Sequence, residues 1–117
     1  MEEKDYGQIK ISEDVIGTIA NLAALEITGV SQMHGGLTGN ITEMLGKKSF
    51  TKGVRVELEE EKVTIDLYLF IDYGVVIPDV SWKIQENVKS TVENMTGLNV
   101  ELVNVHIEGI TFQKEEE

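Results

Sequence analysis

The stretch "GVRVELEEEKVTIDLYLFIDYG", residues 53–74, fixes how the rest of the chain is read. Val54, Val56 and Leu58 alternate with polar residues, a run of acids follows, and then Val63, Ile65, Leu67, Leu69 and Ile71 alternate in turn. A period of two puts each apolar set on one face of an extended strand, so the stretch predicts a β-hairpin with one buried face. Tyr68 and Phe70 fall on the opposite face. A sheet with one apolar face needs a second layer to cover it.

The flanking segments supply that layer. After the hairpin, Pro78 suits the first turn of a helix and Asp79 its electropositive end. Val80, Ile84, Val88, Val92 and Met95 then recur at helical spacing, and Thr96-Gly97 marks the stop. Before the hairpin, Ser12 is a helix cap with Glu13 and Asp14 in the first turn. Ile16, Ile19, Ala20, Ala23 and Ile27 share one side of that helix at about 100° per residue. Gly29 stands where a left-handed residue closes a helix, with Val30 expected to fold back on Leu25. The phrases "EITGVSQM" (26–33) and "NMTGLNVEL" (94–102) thus read as the same helix-stop chemistry used twice.

"YGQIKIS" (6–12) reads as a first strand, "GVSQMH" as a short second one, and residues 40–48 as a short helix after a flexible connection. The final strand alternates Leu98, Val100, Leu102 and then changes phase to Val103, Val105, Ile107, which predicts a bulge near 102–104 or burial on both faces. The sum is a two-layer α+β domain: a mixed sheet of four to five strands with two main helices on one face, in the order β-α-β-β-β-α-β. Residues 6–111 form one domain, with residues 1–5 and the acidic 112–117 expected to be disordered ends.

At 117 residues the chain has the length of one domain with one core. It carries 21 acidic residues against 10 basic ones, a net charge of −11. That balance opposes binding to nucleic-acid phosphates and to anionic lipid, but not to a protein partner. No apolar run reaches the ~20 residues of a membrane span, and the acidic start "MEEKDYG" is unlike a secretory signal, so a cytoplasmic protein is expected. With no cysteine there are no disulfides or thiol chemistry.

The runs "GQIKISEDVIGTIANLAALEITGV", "DYG" with the helix after it, "IQENVKSTVENMTGL" and "VNVHIEGI" resemble the alkaline shock protein family of Gram-positive bacteria, over about residues 6–111. The resemblance implies a small cytoplasmic protein linked to cell-envelope stress. It implies work through protein–protein assembly, with some members held near the membrane by an anchored relative. Other members are linked to fatty-acid metabolism, so a small-ligand binder or regulator of lipid synthesis is the alternative. The resemblance implies no enzyme activity, catalytic residue or cofactor.

The residues offer little chemistry. His34 and His106 are 72 positions apart and no HExxH accompanies them, so no metal site is expected. "GGLTGNITEMLGKKS" has the wrong spacing for a phosphate loop. Glu26, at the margin of the first helix's apolar stripe, is the only carboxylate placed for a shifted acidity. Three features point instead to partner binding. Lys47, Lys48, Lys52 and Arg55 invert the local charge, and could meet the acids of a second copy. Trp82 points away from the second helix's apolar stripe, either packing under the "DYGVVI" segment or meeting a partner. Tyr68 and Phe70 are a candidate dimer surface unless residues 36–50 cover them. A homo-oligomer is expected.

Overall fold

The computed structural model describes residues 5–35 and 49–112. The elements are α1 (Glu13–Leu25), β1 (Val30–Met33), β2 (Ser49–Thr51), β3 (Val54–Glu59), β4 (Lys62–Asp72), α2 (Ile77–Thr96) and β5 (Asn99–Thr111). The architecture is the expected α+β one, with a five-stranded sheet.

β4 lies in the middle of it. On one side it pairs in parallel with β5 along its whole length, from Lys62↔Asn99 to Asp72↔Thr111. On the other side β3 runs antiparallel against residues 62–67, and β1 runs antiparallel against residues 69–71. β2 pairs outside β3. Each of Val63, Ile65, Leu67, Leu69 and Ile71 is fully buried, and register puts Val54, Val56, Val100 and Val103 in the same layer. α1 and α2 cover this face: Ile16, Ala20, Ala24, Ile84, Val88 and Val92 are all at 0% exposure. Alanines on α1 let the helices approach closely. Asn87 Nδ2 ties them by donating to the carbonyl of Ala23 (2.8 Å) and to Glu26 Oε1 (3.0 Å).

Several expectations need correcting. Residues 6–12 form no strand. Ile9 is 91% exposed, and the segment alternates apolar residues without pairing to any described strand. The fifth strand is instead the short β2, whose "SFT" carries no periodic signal. Met95 is exposed on the last turn of α2 rather than in the core. The short helix expected at residues 40–48 lies outside the described residues, as do the termini apart from Asp5 and Phe112. Phe112, assigned to a disordered tail, packs edge-on against Tyr73 with ring centroids 4.8 Å apart.

The two Thr-Gly phrases do different work. Gly97 is the left-handed cap of α2, with φ of 78° and its N–H donating to the carbonyl of Glu93 at 2.8 Å. α1 already ends at Leu25, which stays exposed, so the Leu25–Val30 closure does not form. Gly29 also has a positive φ, 111°, but its role is packing. A Cβ there would lie 3.1 Å from Val80 Cγ2, and its carbonyl accepts from the Asp72 N–H. The phase change in β5 is a bulge at Glu101, between Val100 and Leu102, and a second bulge at Glu108 was not foreseen.

Gly53 stands where β1 and β3 meet against β4. Lys52 and Gly53, with φ of 48° and 83°, make the two-residue turn between β2 and β3. The His34 N–H donates to the Tyr68 carbonyl, and the Tyr68 N–H to the Gly53 carbonyl, both at 2.8 Å. A Cβ on Gly53 would lie 2.9 Å from His34 N and from Tyr68 O, both backbone atoms. Gly53→Ala should therefore cost more than about 2 kcal/mol, from left-handed strain and from a collision that side chains cannot relieve. Chemical denaturation measures this; a loss under about 0.5 kcal/mol, typical of a tolerant surface site, would contradict it.

Candidate interaction surface

The sheet face turned away from the helices is built by register. β4 places Thr64, Asp66, Tyr68, Phe70 and Asp72 on it, alongside Leu102, Asn104, His106, Gly109 and Thr111 of β5. β3 adds Arg55, opposite Asp66, and β1 adds Gln32, opposite Phe70.

These side chains engage one another. Asp66 Oδ1 accepts from Asn104 Nδ2 at 3.1 Å and lies 3.0 Å from His106 Nε2. The His106 ring stacks on Tyr68, centroids 4.4 Å apart and planes 9° from parallel. Phe70 lies over Gly109, where a Cβ would come within 2.8 Å of the ring. His34 Nδ1 and Glu108 Oε1 are 2.8 Å apart, and Ser31 Oγ and Thr111 Oγ1 are 2.9 Å apart. Each of these last two pairs joins the β1 side of β4 to the β5 side. Tyr68 and Phe70 are half-buried within this lattice, so the bare aromatic patch read from the sequence is partly filled by its own polar neighbours.

The basic cluster divides. Lys47 and Lys48 lie outside the described residues. Lys52 occupies the β2–β3 turn, and Arg55 lies on the open sheet face. Glu26 is exposed and accepts from Asn87. The two histidines, remote in sequence, both border Tyr68: one stacks on its ring, the other donates its N–H to its carbonyl. Among the described residues no group of three or more His, Asp and Glu could hold a metal ion. Asn21, 7% exposed on α1, was not singled out by sequence; its Nδ2 donates to the Lys52 carbonyl and pins the β2–β3 turn from beneath. An asparagine within an otherwise small and apolar helix face was the available signal.

Trp82 is 59% exposed, so it does not fill the core. Its surroundings are set by α2. Gln85, Lys89 and Glu93 lie on the same flank of the helix, each within about 60° of Trp82 by helical geometry. That flank leans over the outer edge of β5. Glu93 Oε2 accepts the Val100 N–H at 2.9 Å, Lys89 Nζ donates to the Val100 carbonyl at 2.7 Å, and Gln85 Nε2 donates to the Val103 carbonyl at 3.0 Å. The Val100 N–H, followed by the Lys89 ammonium at 3.1 Å, holds the Glu93 carboxyl below the ordinary glutamate range.

Between α1 and α2 an open groove of about 440 Å³ is lined by Ile27, Lys83, Glu86, Asn87 and Ser90. Four of its five lining residues carry polar or charged side chains and the groove is open, unlike the enclosed apolar pockets that hold acyl chains. Among the described residues no helix is long and apolar enough to cross a membrane.

A lowered carboxyl stabilises the fold above the ordinary glutamate range, and that stability is lost as pH falls through the lowered value. Acidification should therefore release the Val100 amide from Glu93. In amide NMR the Val100 resonance should titrate at a pH below the ordinary glutamate value, and in Glu93→Gln that transition should vanish. A Val100 amide that titrates unchanged in the variant would rule the contact out.

A model of the alkaline shock protein family, described as having a cell envelope-related function, matches residues 1–112. Among curated proteins the chain is 40% identical to the uncharacterized protein YqhY of Bacillus subtilis over 111 residues, 95% of this chain and 82% of that one. It is 38% identical to the uncharacterized protein YloU of the same organism over 107 residues, 90% of this chain and 89% of that one. The uncharacterized protein Spy1535 of Streptococcus pyogenes is 38% identical over 115 residues, 97% of this chain and 87% of that one. No solved structure matches the chain.

Proposed function

This chain belongs to the alkaline shock protein family, whose function is related to the cell envelope, and we propose that it serves there as a non-enzymatic module that works by protein–protein assembly. The observation that carries this reading is Trp82, held 59% exposed on the α2 flank beside the outer edge of β5. A large indole left in water on a stable helix is a common anchor of protein interfaces. The open sheet face supports the reading from its own side. Asp66, at its centre, bonds to Asn104 and His106, which suits a platform better than a proton-transfer site.

In this reading the protein acts in the cytoplasm under envelope stress. A partner, such as a membrane-anchored relative, brings it to the envelope. A net charge of −11 favours basic or mixed-charge protein partners over nucleic acid or anionic lipid.

Light scattering after size exclusion, across a wide concentration range at physiological salt, tests the reading. The mass should grow with concentration. Trp82→Ala should weaken that growth while the melting temperature stays within a few degrees of the parent, because little of the side chain is in the core. A variant that unfolds at moderate temperature would place Trp82 among the packing residues and remove it as an anchor.

A further inference from the structure

β5 is 13 residues long and pairs only with β4 among the described strands. Its outer edge is covered unevenly. The α2 flank closes it at Val100 and Val103, where Glu93, Lys89 and Gln85 take the backbone groups. Backbone groups alternate sides along a paired strand, so Val105 and Ile107 follow Val103 in turning theirs outward. The next residue along the α2 flank is Trp82, which has no amide or carboxylate to offer the edge. Among the described residues coverage by polar side chains thus stops after Val103, and the bulge at Glu108 ends the regular run.

Soluble proteins blunt long edges with lysine, proline or very short strands. Residues 103–112, "VNVHIEGITF", contain neither lysine nor proline. Their one charged residue, Glu108, is joined to His34 at 2.8 Å. On a chain with net charge −11 this is a strip of low charge. Apolar side chains frame it: Trp82, Ile110 at 43% exposure, and Phe112.

We infer that this edge pairs with the same edge of a second copy, antiparallel about a two-fold axis near His106, joining two five-stranded sheets into one. The inference rests on the assembly reading and gives it a surface and a partner. The charge distribution selects the occupant. A basic segment gains little from an edge whose one carboxylate is already engaged. A second copy brings a strand equally poor in charge. The pairing is self-complementary, as a two-fold interface must be. Val105 of one copy faces Ile107 of the other, exchanging both backbone bonds. The α2 clasps at Val100 and Val103 set the limit of the joint and place the two Trp82 residues on its helix side.

The test is sedimentation equilibrium on the full chain over a wide concentration range, with melting curves for every variant. The parent should show a monomer–dimer equilibrium. Val105→Pro removes an outward N–H without touching a bond to β4, and should weaken the dimer about tenfold or more. Should that variant melt early, Ile110→Lys serves the same purpose from a half-exposed side chain and should also weaken the dimer about tenfold. Leu22→Lys, exposed on α1, should leave the dimer as it is. Association that survives both edge variants would overturn the β5 joint and leave assembly through another surface standing. A parent monomeric at every concentration would overturn pairing of copies altogether, and assembly would then need a different protein.

Discussion

β4 must satisfy three neighbours at once. It buries one face under the helices, gives one edge to β5, and divides the other edge between β3 and β1, which meet end to end. Register leaves no slack in this arrangement, since a one-residue slip in any partner would turn its apolar set toward water. The two bulges in β5, at Glu101 and Glu108, restore phase where the 13-residue strand would otherwise drift from the 11 residues of β4. The helices follow from the sheet: α2 bridges two parallel neighbours, and α1 covers what α2 cannot reach.

The same constraint explains what the open face becomes. Tyr68 and Phe70 are forced onto it by the alternation that buries Leu67, Leu69 and Ile71. Covered by neither α1 nor α2, they are flanked by residues that β1 and β5 bring from remote parts of the sequence. Gly109 makes room for Phe70, and His106 lies flat on Tyr68. The polar pairs across this face are thus a consequence of sheet order.

Local pattern made much of this legible. The hairpin of residues 53–74, both helix starts and the left-handed stop at Gly97 each depend on chemistry within a few residues. Residues 6–12 show the limit: alternation describes a strand's faces, while a strand also needs a partner to bond to, and this segment joins none of the described strands. β2 failed in the opposite sense, being too short to show a period. Gly29 was recognised as a positive-φ position, but its closeness to Val80 depends on how α2 lies across the sheet. Of the candidate surface, Trp82 was visible from its angle on the helix. The pairing of His34 with Glu108 and of His106 with Asp66 was not, because partners 74 and 40 positions apart are chosen by the sheet's order.

The end-to-end meeting of β1 and β3 has a further consequence. His34 leaves the edge of β4 and Gly53 returns to it at adjacent points, one bonding the Tyr68 carbonyl and the other its N–H. The chain between them therefore closes on itself at a junction whose geometry does not depend on its length. The entropy of closing such an excursion grows only with the logarithm of its length, about 0.6 kcal/mol for each doubling. Between His34 and the start of β2 the polypeptide can therefore change length at little cost while β4 keeps every neighbour it has. Relatives built on the same sheet would be free to differ most there.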